Sequence, residues 1–508
     1  MTIAVKSTAK PSDRFDPIPS WRAAPVDVRV VSDIPAGATV VGIPVPSDGD
    51  VPERAGFDRA TLDASDFTAG IGETLVLPQI DGPLVVESGL GPRAGLGGAA
   101  VRDSVAWFAQ RAHRHADLVV DLRGLQGVDA GTLGQAATEG AVLARYRYRV
   151  FADRPADLPL ASLTLVVDAG ALNGVREGAA RGLLLARATN LARDLCNAPA
   201  THLTATRFGD VAREIGPQVG LDVEVFDQRQ LVEMGCGGIL GVNAGSNEEA
   251  RLIKLTYRPA GTPTGSLGLV GKGVMYDAGG ISLKPSDAMH ALMKLDMSGA
   301  AAIFGAMTTL RDLGGRATVT GFLCCTDNMP SGTATRLGDV LTIRGGKTVE
   351  VVNADAEGRL VMADGIALAV EDRVDAIVTI ATLTGAALRT FGSAVAPVMG
   401  NDAALVSELR AAGDATDEPL WELPLIRKYR RQLDSKIADI KNMGGVDAGS
   451  ITAGLFLEDF VAGTPFGHLD ICGPMVVDKD DAWRPTGATA FGTRLLATFA
   501  AAFRPTRP

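Results

Sequence analysis

The feature of this sequence that most constrains its fold is the alternation of short apolar runs with helix-like stretches from about residue 197 onward. The runs have the length and the β-branched, aliphatic composition of strands, and the stretches between them have helical apolar spacing. This alternation is typical of an α/β fold, in which helices flank a central mixed, largely parallel sheet. The predicted strands are ARLIKLTY, GSLGLVGKG, ATVTGFLCC, TVEVVNAD, DAIVTIATL and FGHLDICG. The predicted helices are Ser298–Leu313, Gly358–Glu371 and Ile451–Val461.

The part of the chain before this alternation has a similar mixed character, with few polar residues in its loops. At 508 residues the chain is long enough for two to four domains. We predict a flexible tail over residues 1–25 and an N-terminal α/β domain over 26–165. A connecting helix is predicted over 166–196, and a second, larger α/β domain over 197–508.

Composition excludes several classes of protein. A net charge of −10 argues against a general nucleic-acid binder, because phosphate backbones are bound by clustered Lys and Arg. The five cysteines form no C-x-x-C pair, so we expect buried thiols in a reducing compartment. No apolar run reaches the roughly 18 residues of a membrane span, and the N-terminus lacks the apolar core of a secretory signal. These features predict a cytoplasmic protein without a membrane partner.

Polar side chains cluster in a glycine-rich segment, GLVGKGVMYDAGGISLKP, that follows a predicted strand. It contains Lys272, Asp277 and Lys284. A phosphate-binding loop is the alternative interpretation, but the G-x-x-x-x-G-K-[ST] pattern is absent. In parallel sheets ligands bind at the carboxyl ends of the strands, which is where this segment falls.

Two further segments supply carboxylates. Asp296 stands just before a long apolar helix, where capping that helix would be its ordinary role. In NADAEGRL, Asp355, Glu357 and Arg359 are spaced two apart, so in an extended chain their side chains project to the same side. A capped helix start explains this second segment equally well.

Taken together, these segments offer four carboxylates, which cannot share one pocket without cations. Two divalent ions would balance the charge and give a two-metal hydrolytic site. The five histidines form no ligand pattern and no H-E-x-x-H occurs. An oxygen-rich site suits Mn²⁺, Mg²⁺ or Zn²⁺, and the sequence does not distinguish among them.

The same segments, in this order, resemble the leucyl aminopeptidase (cytosol aminopeptidase) family of metallopeptidases. The matching motifs are VGKGVMYDAGGISLKP, MKLDMSGA, NADAEGRLVMADG, ATLTGA, HLDICGP and GATAFGTRLL. The resemblance extends from about residue 190 to 498, so residues 197–508 would form the catalytic metallopeptidase domain. It implies an exopeptidase that removes the N-terminal, leucine-like residue from peptides with a free N-terminus.

The resemblance also implies a role for each site residue. Lys272, as a neutral amine of lowered pKa, and Asp296 would bind one metal ion. Asp277 and Glu357 would bridge two ions, and Asp355 would hold the second ion. Residues with substrate-binding roles would be Lys284, Asp296, Thr382 and Leu383.

In the implied reaction, a water activated by the two ions attacks the scissile carbonyl. Lys284 would stabilise the resulting oxyanion, and Arg359 would hold a bicarbonate that accepts the proton of the water. An apolar lining around Met293 and Ala386–Ala387 would favour leucine-like side chains. Members of the family are typically homohexamers built from two trimers, which we expect here as well.

Two other functions remain as alternatives. A DNA-binding or regulatory member of the same family is one, although the basic residues of the N-terminal domain are better explained as the solvated face of a strand. A two-metal phosphohydrolase is the other, and the scarcity of histidine argues against it.

Overall fold

The computed structural model describes residues 15–151 and 157–505. Its first sheet has six strands in the order β1-β6-β5-β2-β4-β3, all parallel except β3, which runs antiparallel to β4. The strands are β1 Asp27–Val31, β2 Val40–Val45, β3 Thr74–Leu77, β4 Leu84–Gly89, β5 Asp117–Asp121 and β6 Ser162–Val166. The helices of this part are α1 Pro19–Arg22, α2 Arg59–Ala64, α3 Gly98–Arg111 and α4 Ala130–Ala144.

A long helix, α5 (Leu172–Asn197), follows this sheet and packs along α4. Small residues make the close approach possible: a Cβ atom added to Gly178 would lie 1.9 Å from the backbone oxygen of Gly131. The abundance of glycine therefore serves helix packing here, because backbones approach closely only where side chains are absent.

The second sheet has eight strands in the order β15-β14-β17-β13-β9-β10-β8-β7. Its four central strands, β17, β13, β9 and β10, are mutually parallel. The strands are β7 Leu221–Phe226, β8 Arg251–Tyr257, β9 Ser266–Asp277, β10 Thr318–Asn328, β13 Ala376–Ala381, β14 Ala396–Gly400, β15 Leu420–Glu422 and β17 Phe466–Asp470. Short strands form two small sheets: β11 Val340–Thr342, β12 Thr348–Glu350, β16 Ile440–Lys441, β18 Val476–Val477 and β19 Gly487–Ala488.

Helices cover both faces of the eight-stranded sheet. Along β9, Leu267 and Leu269 belong to the apolar core on one face, and Val270 and Val274 belong to the core on the other. A strand that is buried on both faces has a nearly continuous apolar sequence, which explains the runs seen in this part of the chain. The helices are α6 Ala205–Ile215, α7 Gln228–Met234, α8 Gly237–Asn243, α9 Ala288–Ala291, α10 Ser298–Met307, α11 Gly358–Glu371, α12 Gly385–Phe391, α13 Ala403–Thr416, α14 Gly449–Glu458 and α15 Thr493–Ala502.

The predicted fold class is confirmed: the central sheet is mixed, largely parallel and flanked by helices. One predicted strand is wrong in its extent and its place. Of TVEVVNAD only β12 is extended, and it pairs with β11 and β16 in a small sheet rather than joining the central one. The side-chain amide oxygen of Asn442 accepts the backbone N–H of Val352 at 2.9 Å, and this bond replaces a strand ladder beyond β12.

The first fourteen residues of the predicted tail lie outside the described residues. From Phe15 the segment packs on the larger part of the chain. Ile18 is fully buried, and Ser20 donates hydrogen bonds from its backbone and hydroxyl to one oxygen of Asp194 at 2.7 and 2.5 Å. Within the described residues, no helix is both long and apolar enough to cross a membrane.

Candidate metal centre

The candidate site lies at the carboxyl ends of three neighbouring parallel strands, β17, β13 and β9. Asp277 is the last residue of β9 and Asp470 is the last residue of β17. Thr382 directly follows β13. The topology therefore brings polar side chains from distant parts of the sequence to one edge of the sheet, as parallel α/β sheets do at their ligand sites.

An irregularity in β9 places Lys272 and Asp277 in the same cluster. Side chains alternate along a strand, so residues five apart would face opposite sides of the sheet. Val274 pairs with Thr326, but Asp277 pairs with Asn328, so β9 contains one residue more than β10 over this interval. The extra residue is a β-bulge, and it returns Asp277 to the side of Lys272.

A tight turn after β9 brings Lys284 back to the cluster. Gly279 and Gly280 have φ angles of +89° and +58°, which residues with a Cβ atom rarely adopt. The backbone N–H of Lys284 donates to the carbonyl oxygen of Ala278 at 3.0 Å and closes the turn. These two glycines therefore allow the turn that returns the chain to the cluster.

The segment before α11 is not extended, which corrects one interpretation of NADAEGRL. Asp355 lies in a turn, and Glu357 has the helical angles φ −78° and ψ −35° at the start of α11. Next to it, Gly358 leaves room for the lysine, because a Cβ atom there would lie 2.6 Å from Cε of Lys272. The carboxylates converge through a helix start and not through strand alternation.

Asp296 does not cap the following helix. Met297 occupies the N-cap position of α10. The Asp296 carboxylate instead accepts a hydrogen bond from Thr382 Oγ1 at 2.6 Å and lies 2.8 Å from Lys272 Nζ. The capping interpretation is therefore wrong, and Asp296 belongs to the cluster.

Two lysines hold the carboxylates in two linked groups. Lys272 Nζ lies 2.8 Å from Asp296 Oδ2 and 2.7 Å from Glu357 Oε1. Lys284 Nζ lies 2.8 Å from Asp277 Oδ2 and 2.5 Å from Asp355 Oδ1. The structure thus brings together six charged residues that the sequence analysis singled out: the four carboxylates and the two lysines of the glycine-rich segment.

Burial and mutual repulsion disturb the titration of these groups. Burial raises the pKa of Asp296, Glu357 and Asp355 above their usual ranges, and neighbouring carboxylates add to the shift. Burial alone would lower the pKa values of Lys272 and Lys284, but the surrounding carboxylates outweigh it and raise both. With only the charges of the protein, the direction for Lys272 is opposite to the lowered pKa that the family resemblance implied.

The charge of the cluster is unbalanced. Four carboxylates face two lysines, and nearby Asp470 and Arg359 add one charge of each sign, so two negative charges remain when all groups are ionised. Ligand atoms of Asp277, Asp355 and Glu357 lie within 4.8 Å of one another, and Glu357 Oε2 is buried without a hydrogen-bond partner among the described residues. Converging oxygen donors with excess negative charge fit divalent cations.

The other two predicted substrate residues, Thr382 and Leu383, lie beside this cluster. The carbonyl oxygen of Thr382 accepts a hydrogen bond from Lys272 Nζ at 3.1 Å. The backbone N–H of Leu383 donates to Asp470 Oδ1 at 3.1 Å, and Asp470 also accepts from Thr384 Oγ1 at 2.6 Å. Asp470 thereby fixes the loop that carries Thr382 against the cluster.

Arg359 points a buried guanidinium toward the same region. It is 6% exposed, and its Nε and Nη1 atoms have no hydrogen-bond partner in the described part of the chain. Burial lowers its pKa to about 10, so it is positively charged at neutral pH. An unpaired buried guanidinium of this kind is suited to an anion.

Two asparagines that sequence reasoning missed organise the carboxylate loop. Asn442 Nδ2 donates to the carbonyl oxygens of Asn353 and Ala356 at 2.7 and 3.2 Å. Asn328 Nδ2 donates to Asp277 Oδ1 at 2.8 Å and to the carbonyl oxygen of Ala354 at 3.0 Å. Asn328 ends β10, so the strand-end rule indicates its region, whereas no local signal marked Asn442.

Comparison with known proteins agrees with this geometry. The model of the cytosol aminopeptidase family, catalytic domain, matches residues 190–497, which contain every residue of the cluster. The chain belongs to the cytosol aminopeptidase family. It is therefore a metallo-aminopeptidase of class EC 3.4.11 that acts on peptides, and the predicted family and enzyme class are confirmed.

Relatives and solved structures extend the likeness beyond the catalytic part. A probable cytosol aminopeptidase of Streptomyces griseus is 39% identical over 92% of this chain and 95% of its own length. One from Chlorobaculum tepidum is 42% identical over 68% of each chain. The bottromycin maturation enzyme BotP in complex with Mn is 38% identical, with a TM-score of 0.84, covering 92% of this chain and 99% of that one. Nothing in these comparisons supports the DNA-binding alternative.

Proposed function

We propose that this aminopeptidase uses two divalent metal ions to remove the N-terminal, leucine-like residue of peptides. The observation that carries the proposal is the unbalanced cluster, in which four converging carboxylates meet only two lysines. Added cations would neutralise a buried site with this charge and keep its carboxylates ionised. The Mn in the related BotP complex supports manganese as one candidate.

The residues proposed to hold the ions are Lys272, Asp277, Asp296, Asp355 and Glu357. Mn²⁺ or Zn²⁺, with Mg²⁺ as a further option, would suit this mostly oxygen donor set. When bound, such ions supply a nucleophilic water at neutral pH and polarise the scissile carbonyl. For Lys272 to act as a neutral ligand, the carboxylates that raise its pKa must first be neutralised, which the ions would do.

Other side chains would act on the substrate directly. The Lys284 ammonium, held at the open side of the cluster, is proposed to stabilise the developing oxyanion. The free Arg359 guanidinium is proposed to hold bicarbonate as the proton acceptor. Asp296, Thr382 and Leu383 would position the N-terminal end of the peptide, because Thr382 links Asp296 to the loop that carries Leu383.

A leucine-like preference would come from the apolar lining predicted around Met293 and Ala386–Ala387. Met293 lies three residues before Asp296 and is 9% exposed, and Ala387 is 1% exposed. Apolar walls favour an aliphatic side chain by roughly 1–3 kcal/mol over a smaller one.

The homohexamer, the cytoplasmic location and the domain boundaries remain predictions.

The proposal is tested by steady-state hydrolysis of leucine-p-nitroanilide by the purified protein in the presence of Mn²⁺, Zn²⁺ or Mg²⁺. We expect activity with at least one ion, loss of activity with a chelator, and no cleavage of the N-acetylated substrate. Asp355→Ala should be inactive. Asp81→Ala, which removes an exposed carboxylate between β3 and β4, is the matched control. Full activity of Asp355→Ala, or no activity with any ion, would refute the proposal.

A further inference from the structure

The carboxylate cluster has a closed end and an open end. At the closed end, the side chains of Lys272 and Asp296 are only 3% and 5% exposed. At the open end, the side chain of Asp355 is 34% exposed and that of Lys284 is 19% exposed. A bound substrate must therefore enter and leave through the side of Asp355.

This asymmetry orients a peptide, given the proposed function on which this inference rests. The free α-amine is a chain end with no residue before it, so it fits the closed end beside Asp296. The residue that follows the scissile bond continues the chain, so it must extend toward Asp355. Whatever lies beyond Asp355 therefore contacts the leaving part of the substrate.

A cavity of about 320 Å³ lies beyond Asp355. This volume is near the lower end of the range of about 300–1,000 Å³ for small-ligand pockets, so the cavity suits one or two residues of a short peptide. Its walls include Asp355, Arg359, Leu383, Arg389, Met443 and Val446. Neither Lys272 nor Asp296 lines it, in agreement with its place at the open end.

The charged side chains that line this cavity differ in whether they have an ion-pair partner. Asp355 is paired with Lys284. Arg359 is buried near Glu357, whereas Arg389 is exposed, and no carboxylate of the described residues lies within ion-pair distance of either guanidinium. The Arg389 side chain is thus an exposed cation without an ion-pair partner at the wall of the cavity. A guanidinium binds a carboxylate through two parallel hydrogen bonds, which gives both affinity and direction.

Part of the remaining wall is apolar. Leu383, Met443 and the 94% exposed Val446 line the cavity, together with the polar residues Asn353, Thr384 and Thr452. An apolar wall opposite a free guanidinium matches a residue that combines an aliphatic side chain with a negative charge. The C-terminal residue of a dipeptide has this combination.

We propose that Arg389 binds a carboxylate on the residue that follows the scissile bond and so determines specificity for that side of the substrate. Two sources share this chemistry: the terminal α-carboxylate of a dipeptide and the side chain of an acidic second residue. The apolar wall favours the first source. Arg389 is not one of the proposed metal ligands or catalytic groups, so its contribution should appear mainly in KM.

The test compares two substrate pairs that differ by one negative charge. Leu-Leu against Leu-Leu-amide reports on the terminal carboxylate, and Leu-Glu-amide against Leu-Gln-amide reports on an acidic side chain. Each pair is measured with wild type, Arg389→Gln, Arg389→Lys and the control Arg114→Gln, which changes an exposed arginine of the first sheet region. For each pair, the ratio of kcat/KM for the charged and the uncharged substrate is compared between variants, which cancels the intrinsic reactivity of each substrate.

We expect wild type to favour the charged member of the Leu-Leu pair by roughly tenfold in kcat/KM, since exposure and salt weaken the contact. The ratio of kcat/KM for Leu-Leu to that for Leu-Leu-amide should fall to near one in Arg389→Gln and remain in part in Arg389→Lys. It should be unchanged in Arg114→Gln, and in wild type it should decrease as the salt concentration is raised. A preference only in the acidic pair would assign the contact to the side chain instead.

Two results would overturn the inference: no preference in either pair, or a preference that survives Arg389→Gln. Leucine-p-nitroanilide carries no carboxylate and separates these failures from failure of the proposed function. If wild type cleaves it without any preference between paired peptides, only the inference about Arg389 is lost. If wild type cleaves none of the substrates, the proposed function fails and the inference fails with it.

Discussion

Two buried groups of charged residues in this chain differ in how their carboxylates are neutralised. Glu139 on α4 accepts a hydrogen bond from Arg102 Nε at 2.7 Å and another from Arg494 Nη1 at 2.6 Å, and all three residues are buried. Burial alone would raise the pKa of Glu139, but the two arginines outweigh it and lower the pKa. This group joins the six-stranded part of the chain to α15, and the buried Glu418 carboxylate provides a second negative charge near Arg494.

The carboxylate cluster at the end of β9 has the opposite character. Its carboxylates outnumber its lysines, and the pKa values of Asp296, Glu357 and Asp355 are raised. A buried group that serves only the fold is neutralised by the protein itself, since an unpaired buried charge is costly. The contrast teaches that an excess of buried negative charge marks the site that binds something, and the following predictions test that distinction.

The largest effect is expected for Glu357→Gln. This change removes one negative charge from the centre of the cluster while it preserves the shape of the side chain. We expect kcat/KM for leucine-p-nitroanilide to fall by at least about 10³-fold, more than the 10- to 100-fold loss typical of residues that only support metal ligands. A variant with near wild-type kcat/KM at saturating Mn²⁺ would show that Glu357 is not a ligand.

Glu139→Gln should affect stability and leave the chemistry intact. Breaking a buried ion pair typically costs about 3–5 kcal/mol, because the remaining charges are left uncompensated. The thermal midpoint, followed by calorimetry, should therefore fall by several degrees, while the activity per folded molecule at low temperature stays unchanged. If the midpoint does not move, the ion pairs between the two parts of the chain contribute nothing to stability.

Asn442→Ala should have an intermediate effect. Asn442 bonds backbone groups on both sides of Asp355, so its loss would loosen the loop that carries two of the proposed ligands. We expect a 10- to 100-fold weaker metal affinity, measured as the Mn²⁺ concentration for half-maximal activity and by calorimetric titration. Asn442→Asp would keep the acceptor oxygen but turn a carboxylate oxygen toward the two carbonyl oxygens, so its metal-free stability should be no higher than that of Asn442→Ala.

The smallest effect is a difference in acid stability. The pKa of Glu139 is lower in the folded chain than its ordinary value of 4.5. The stability that it contributes is therefore fully present above about pH 4.5 and is lost as the pH falls through the folded-state pKa. Glu139→Gln should lessen the acid-induced fall in the free energy of unfolding, by up to about 1.4 kcal/mol per pH unit. Identical pH profiles for both proteins would contradict the pairing.

The sequence predicted the central strands well because each one is a continuous apolar run that is buried on both faces. It missed β6 in the first sheet, and in the second sheet it missed β7, β14 and β15. β7 and β15 are the edge strands, and the sequence of β7, LDVEVF, alternates apolar and acidic residues instead of forming a continuous apolar run. Motif resemblance identified Lys272 and Asp277, but strand alternation alone would have placed them on opposite faces. The bulge that joins them depends on pairing with β10, which local sequence does not reveal.

The supporting residues of the site were harder to predict than the charged ones. Asn328 and Asp470 end strands whose existence the sequence predicted, but the predicted strands ended at Cys325 and Gly473, so the strand-end rule gives the region and not these residues. Asn442 lies in a loop about ninety residues from the backbone groups that it bonds. Only the folded chain brings these partners together, because the contact is long-range and neither segment carries a charge pattern that would indicate it.

The most direct test of the central claim is a count of bound metal. The purified protein would be dialysed against Mn²⁺ or Zn²⁺, and the metal per chain determined by mass spectrometry beside Glu357→Gln and Glu139→Gln. The account predicts two ions per chain in wild type and in Glu139→Gln, and fewer in Glu357→Gln. Wild type without bound metal, or equal metal content in wild type and Glu357→Gln, would contradict it.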